Sequence, residues 1–299
     1  MTADALTGRR AIVTGGAGGL GGAFAASLVR AGARVALVDL VDVGDVGDLG
    51  QGQVRGFRAD LTRSEDVAAV FDRATAWLGG LDILVNNAGI AARSTPLDGV
   101  NGTAELFGRM LEANLLSAVL CARAAAPYLL RHGGDIVNVV TDHVHTCWWP
   151  APVDHAEAPE CPWAQQPRRP GWVGMDLYDA SKWALWGITR TWAMTLRPYG
   201  VRVNALSMGA TDSPMQRAHV GVGPDDDLPA DLAHVWLDPA EVGRVLVELL
   251  AEGVRGRSGD SVAVWPHHPV VLRDPAPQLD LPWGWDPTTD LRGRQPATT

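Results

Sequence analysis

The sequence predicts an α/β chain: one doubly wound parallel sheet with helices on both faces, folded as a single domain. Three observations carry this. Short aliphatic runs alternate with helical stretches from Ala11 to Trp265. A glycine-rich turn, Thr14 to Gly22, separates the first such run from a helix. An acidic residue, Asp39, closes the second run.

Ala11-Ile12-Val13 reads as a buried strand, and the helical run after the glycines ends near Arg30 with Gly32 as its stop. Arg34–Val38 is the next strand. Residues 42–56 read as loop, being rich in Gly, Asp and Val, and Val54 to Ala59 as a third strand. Thr62-Arg63-Ser64-Glu65 has the form of a capping box for a helix running to about Leu78. Leu81–Val85 is a fourth strand, a long helix covers Thr103 to Arg131, and Asp135–Val140 is a fifth strand that delivers Thr141. A helix follows Tyr178 as far as the Arg197-Pro198 break. Val201–Leu206, a helix from Pro239 to about Gly253 and a strand Ser261–Trp265 complete the domain.

Two patterns point to chemistry. Strand, glycine turn and helix start put backbone N–H groups where a pyrophosphate can sit. The bland alternative is a tight turn without a ligand. Asp39 is placed to bind the adenosine ribose hydroxyls and to repel a 2′-phosphate, which favours NAD over NADP. No Arg or Lys occupies the glycine loop or the two positions after Asp39. The second pattern is Tyr178-x-x-x-Lys182. Residues four apart share a helix face, and an ammonium beside a phenol favours the phenolate. Alone, such a pair is usually ordinary helix surface.

In combination, the motifs resemble those of the short-chain dehydrogenase/reductase family. TGxxxGxG appears as Thr14, Gly15, Gly19 and Gly21, with Leu20 between the last two glycines, and NNAG as Asn86 to Gly89. The acidic-Leu adenine contact appears as Asp60-Leu61, the mid-helix asparagine as Asn114, and YxxxK as Tyr178 and Lys182. The likeness runs over about residues 6 to 265. It implies a Rossmann-like fold and hydride transfer between NAD and a secondary alcohol or ketone. The implied cofactor residues are Gly15, Gly19, Leu20, Gly21, Asp39, Asp60, Leu61, Asn87, Ala88, Gly89, Tyr178, Lys182, Gly209 and Ser213. Tyr178 is the implied general base, and Lys182 its pKa-lowering partner and ribose ligand. Asn114 is the implied holder of a relay water, its bland alternative being a satisfied buried amide.

The family's usual serine aligns with Thr141, whose hydroxyl keeps the oxygen-orienting group and adds a methyl. A register slip by one would put Val140 or Asp142 there instead. Between Thr141 and Tyr178 the chain carries an insert, about residues 143–174, rich in proline, tryptophan and histidine. Long irregular segments of this kind serve as lids or binding loops. His143, His145, Cys147, His155 and Cys161 match no common zinc spacing, so an aromatic pocket wall is preferred to a metal site, and no metal is expected. Trp183, Trp186 and Trp192 read as packing residues, in the core or at a subunit contact. Ser207 to Met215 resembles the family's PGxxxTPM with Met208 for the proline and Ser213 for the threonine, implying that Ser213 holds the nicotinamide carboxamide. A substrate loop is expected at about 210–238, and residues 266–299 as a Pro- and Trp-containing extension of the 1–265 domain.

Composition narrows the field. The chain has 299 residues, 46% of them apolar, and a net charge of −9, with no Lys/Arg cluster. That argues against nucleic acid. Three cysteines cannot form a paired framework, no secretory apolar core follows Arg9-Arg10, and no uninterrupted apolar run reaches membrane-span length. The expectation is a cytoplasmic enzyme with a small-molecule alcohol or ketone substrate, apolar and cyclic or aromatic, no membrane partner, and a homo-oligomeric (dimer or tetramer) state. The rivals are an NADP-linked biosynthetic ketoreductase and a cofactor-binding regulator or scaffold whose catalysis has lapsed.

Overall fold

The computed structural model describes residues 4–43, 52–145, 174–234 and 236–265, with the side chains of His145 and Asp231 excepted. Most of the insert and the whole 266–299 extension lie outside the described residues, so the expectations placed on them are not addressed by the fold.

Among the described residues seven strands form one parallel sheet: β1 Arg10–Thr14, β2 Arg34–Asp39, β3 Val54–Arg58, β4 Ile83–Asn86, β5 Gly134–Thr141, β6 Val201–Met208 and β7 Ser261–Val264. Their order is β3-β2-β1-β4-β5-β6-β7. The chain reverses its direction of travel across the sheet between β1 and β4. In a doubly wound sheet that reversal opens a crevice at the carboxyl ends of the strands, where ligands bind.

Alternation along the strands divides the core. Ala11, Val13, Val35, Leu37, Ile83 and Val85 face one side, packed with α1 (Gly19–Arg30) and a late helix, Pro239–Ala251. Ile12, Ala36, Val38 and Leu84 face the other, packed against α2 (Ser64–Leu78) and the second half of the long helix. That helical run comprises α3 (Thr103–Leu111), a π-turn at Glu112–Leu116 and α4 (Ser117–His132). By length and apolarity the run would also span a membrane. Here its inner stripe, Met110, Ala118, Cys121, Ala125 and Leu129, is buried in the fold. α5 (Asp176–Leu196) packs over β5 and β6 and carries Tyr178 and Lys182 in its first two turns. The expected substrate loop contains two short helices, α6 (Pro214–Val220) and α7 (Ala230–Ala233), and Pro239–Ala251 is α8.

The capping box does not form. Arg63 is the N-cap of α2 and makes no side-chain cap. The Thr62 hydroxyl instead donates to Asp60 Oδ1 (2.7 Å), which also accepts the Thr62 N–H (2.9 Å). A nearer carboxylate outcompetes the helix end for the threonine. The tryptophans of α5 divide: Trp192 and Trp186 pack against the core, and Trp183 stays 40% exposed.

Candidate active site

The cofactor end is built from backbone. Gly15 follows β1 at φ +71°, in the left-handed region, and a Cβ there would meet Asn87 Nδ2 at 2.8 Å. A Cβ on Gly21 would drive into the Gly15 carbonyl, so the glycine lets the turn fold back on α1. No side chain caps α1, and its first turn holds no acid. Its leading N–H groups therefore offer an uncapped positive end suited to a pyrophosphate. The Thr14 hydroxyl accepts the N–H groups of Asn87 and Ala88 (3.0 Å each), and Asn87 Nδ2 donates to the Thr14 carbonyl (2.9 Å). These bonds lock the ends of β1 and β4 together at the switch point. Asp39 reaches back over the turn, where its Oδ2 accepts the Ala17 N–H (2.9 Å) and its Oδ1 the Val41 N–H (3.2 Å). Asp60 is held ionised below the usual carboxylate range by its two bonds from Thr62, and Leu61 is buried beside it. The parts fit a dinucleotide: glycines where side chains would intrude, free helix N–H groups, and an acid at the ribose position.

The reacting end is built from side chains. Tyr178 and Lys182 share a face of α5, with the ammonium 5.7 Å from the ring centroid. Among the described residues the Tyr178 hydroxyl has no hydrogen-bond partner. Lys182 is buried and donates to the Val139 carbonyl (3.0 Å). Burial lowers its pKa to about 8. The Tyr178 phenol goes the other way: burial, then the charges of Asp179 and Asp142, push its pKa up. The Tyr-x-x-x-Lys spacing implied a depressed phenol, whereas in the ligand-free protein desolvation and two carboxylates leave its pKa raised.

Asn114 is fully buried in the π-turn. Its Oδ1 accepts the Ile90 N–H (2.7 Å), and its Nδ2 donates to the Ile90 carbonyl (3.0 Å) and to Ser181 Oγ (2.9 Å). The amide is thus spent on tying the loop after β4 to α5, and a Cβ on Gly89 would strike Asn114 Oδ1. Thr141 ends β5, buried, and donates to Asp142 Oδ1 (3.2 Å). At the cofactor loop, Ser213 caps α6 by accepting the Gln216 N–H (3.3 Å), so its hydroxyl proton remains available. Gly209 N–H donates to the Val264 carbonyl (3.0 Å), which seats this loop on the sheet edge.

Comparison with known proteins gives the site its family. The short chain dehydrogenase model matches residues 9–147, and a model described as enoyl-(acyl carrier protein) reductase matches residues 168–264. The chain belongs to the short-chain dehydrogenase/reductase family. It is therefore an oxidoreductase that uses a nicotinamide cofactor, NAD or NADP. Among its relatives, the 4-formylbenzenesulfonate dehydrogenase of Comamonas testosteroni is 36% identical over 228 residues, 74% of this chain and 79% of that one. The cis-4-hydroxycyclohexanecarboxylate dehydrogenase of Sinomonas cyclohexanicum is 30% identical over 267 residues, 87% and 93% respectively. A crystal structure of a dehydrogenase/reductase from Sinorhizobium meliloti superposes with a TM-score of 0.68 at 28% identity, covering 88% of this chain and 96% of that one.

Several groups in this short-chain dehydrogenase have partners that the sequence reading did not anticipate. Asp142 is buried, accepts Trp265 Nε1–H (3.2 Å) at Oδ2, and burial raises its pKa. His143 Nδ1 lies 2.6 Å from Asp179 Oδ1. Burial lowers that imidazole's pKa, but the bond to Asp179 and the charges of Asp142 and Asp179 outweigh it and leave the pKa raised. Arg93, on the loop after β4, meets His219 of α6. One signal was open to inspection of the sequence: Lys182 is the chain's sole lysine, every other cation among the 25 Lys and Arg residues being arginine. Arginine cannot give up its proton, so a position that needs an adjustable amine cannot use it.

Proposed function

We propose that this chain is an NAD-dependent dehydrogenase of a secondary alcohol, or reductase of the matching ketone, borne on a cyclic or aromatic substrate. The observation that carries it is the Tyr178 hydroxyl, without a hydrogen-bond partner among the described residues, beside the buried Lys182. In oxidation Tyr178, as phenolate, takes the alcohol's hydroxyl proton while the carbon-bound hydrogen leaves as hydride. The bound nicotinamide supplies the hydride acceptor, or the donor in reduction. Thr141 presents its hydroxyl to the substrate oxygen and so holds the reacting carbon against Tyr178. The reduction direction needs the protonated phenol, which burial, Asp179 and Asp142 favour in the free protein. Oxidation needs the phenolate, which Lys182 favours and which rising pH supplies. Since the Asn114 side chain is fully engaged, a relay water would be held by main-chain carbonyl oxygen that the π-turn withdraws from the regular helical ladder.

Support for the ring comes from the relatives. Two are named for a benzene- or cyclohexane-based substrate that carries an acid group at ring position 1 and the reacting group at position 4. Support for NAD comes from Asp39, whose carboxylate would confront a 2′-phosphate. We take the same reading to include a cytoplasmic, homo-oligomeric enzyme, with Leu116, Trp183 and Met194 as apolar side chains left exposed on the long helices.

A panel of cyclic secondary alcohols followed by NADH absorbance tests the activity, and no turnover across it would sink the proposal. For the cofactor, Asp39→Ala should shrink the NAD over NADP preference by at least about tenfold, or about 1.4 kcal/mol. Arg58, whose Nε donates to the Leu40 carbonyl (3.0 Å), stands ready to meet a 2′-phosphate once the acid is gone. An unchanged ratio would contradict the assignment.

A further inference from the structure

Arg93 is an exposed cation that bonds a histidine. Its Nε donates to His219 Nε2 (3.3 Å) and its Nη2 to the His219 carbonyl (2.9 Å). To accept that Nε–H bond the ring must be neutral at Nε2. Burial and the adjacent guanidinium both push the His219 pKa down, which keeps it so. The pair therefore retains a full positive charge. Among the described residues no carboxylate lies within ion-pair distance of Arg93, although Asp and Glu outnumber Lys and Arg by 34 to 25. Arg217, on the same short helix as His219, is by contrast matched with Asp212.

The position of this charge is fixed from both sides. Ser94, the next residue, forms a parallel bridge with Met175. Its N–H donates to the Gly174 carbonyl (3.1 Å), its carbonyl accepts the Asp176 N–H (3.3 Å), and its hydroxyl accepts the Leu177 N–H (3.3 Å). So the backbone carrying Arg93 is pinned to the residues that precede Tyr178. On the other side His219 belongs to α6, whose N-cap is Ser213 of the expected nicotinamide loop. The guanidinium thus joins the Tyr178 side of the site to the helix that follows the cofactor loop.

We propose that Arg93, supported by neutral His219, is the specificity-determining residue for an acid group, carboxylate or sulfonate, on the far side of a cyclic substrate from its reacting carbon. This rests on the reading of the chain as a dehydrogenase of cyclic substrates. A guanidinium fork matches a planar carboxylate, so the acid end of the molecule goes to Arg93 and its reacting carbon to Tyr178.

The test uses the full-length protein with its nicotinamide cofactor bound, and Arg93→Gln and Arg93→Lys. Cyclohexanecarboxylate and cyclohexanecarboxamide, which cannot react, are titrated by calorimetry. The parent should prefer the carboxylate, and Arg93→Gln should weaken its binding by roughly 10- to 100-fold, collapsing that preference. Arg93→Lys should restore part of it. With cis-4-hydroxycyclohexanecarboxylate as substrate, KM should rise by the same factor in Arg93→Gln, with a much smaller change in kcat. The proposal is overturned if the parent does not bind the carboxylate, binds the amide equally well, or loses no preference on Arg93→Gln. If the carboxylate preference depends on Arg93 but no cyclic alcohol is oxidised, the acid site stands and the dehydrogenase reading falls.

Discussion

The two ends of the sheet are made from the same strands and treat charge in opposite ways. At the amino ends, charges are paired. Asp135 of β5 takes Arg9 and Arg202 at 2.7 Å each, Asp82 takes Arg10 at 2.7 Å, and Glu252 takes Arg257 at 2.6 Å. Arg202 is only 2% exposed, and it also donates to the carbonyls of Leu249 and Leu250 at the end of α8. At the carboxyl ends, polar groups are buried but left partly unmatched. Lys182 has a carbonyl for company, the Tyr178 hydroxyl has no hydrogen-bond partner among the described residues, and Asp142 has Thr141 and an indole. Saturated ion pairs hold a fold together, whereas unsaturated groups can exchange protons and bind ligands. The difference places chemistry at one edge and stability at the other.

The largest expected effect lies at the reactive edge. Tyr178→Phe keeps the ring but removes the exchangeable proton, so turnover should fall by about 10² to 10⁴ with cofactor binding nearly intact. Residual activity within tenfold of the parent would remove the phenol from the chemistry. The matching change at the other edge is Asp135→Asn, which takes the shared carboxylate from Arg9 and Arg202 and leaves Arg202 with Glu252 at 3.4 Å. It should cost roughly 1.5–3 kcal/mol in denaturant unfolding, with kcat of the folded enzyme little changed. If activity fell and stability held, the division between the edges would be wrong.

Thr141 sharpens the contrast, since it needs a hydroxyl rather than a shape. Thr141→Val should lower turnover by about 10² to 10³, with Thr141→Ser remaining active. If Val were tolerated and Ser shifted substrate choice, the methyl would be the working group; if both behaved like the parent, the orienting group would lie elsewhere, at Asp142 or His143.

Lys182 gives a pH signature. Its pKa is lowered from the ordinary 10.5 to about 8 by burial, so the folded state binds fewer protons than the unfolded between those values. Below pH 8 the cost of burying the ammonium is fully present, and stability is regained as pH rises from about 8 to 10.5. At 1.36 kcal/mol per unit this is about 3 kcal/mol. Measured against Lys182→Met across that window, the parent should gain stability by about that amount. Parallel curves for the two proteins would show that the amine titrates normally.

Much of the fold was legible from the chain. The seven expected strands formed with ends shifted by a residue or two; in the central strands burial on both faces demands continuous apolar sequence and leaves little freedom of assignment, while the edge strand β3 is mostly exposed. The glycine turn was legible because Gly15 and Gly21 sit where a Cβ has no room. The capping box at Thr62 was misleading because a local motif ignores competitors, and Asp60 lay closer to the hydroxyl. The depressed tyrosine pKa failed for a related reason: the spacing shows the lysine but not the burial or the carboxylates.

What the sequence determined by itself, then, is what depends on local backbone and periodicity: the order of strands and helices, the glycine turn with Asp39 beyond it, and Tyr178 one turn before the chain's sole lysine. Only the tertiary structure decided which charges are satisfied. Arg93 and His219 stand 126 positions apart, and His143 and Asp179 stand 36 apart. Desolvation and Coulomb energy depend on distances through the folded protein, and no local pattern encodes those.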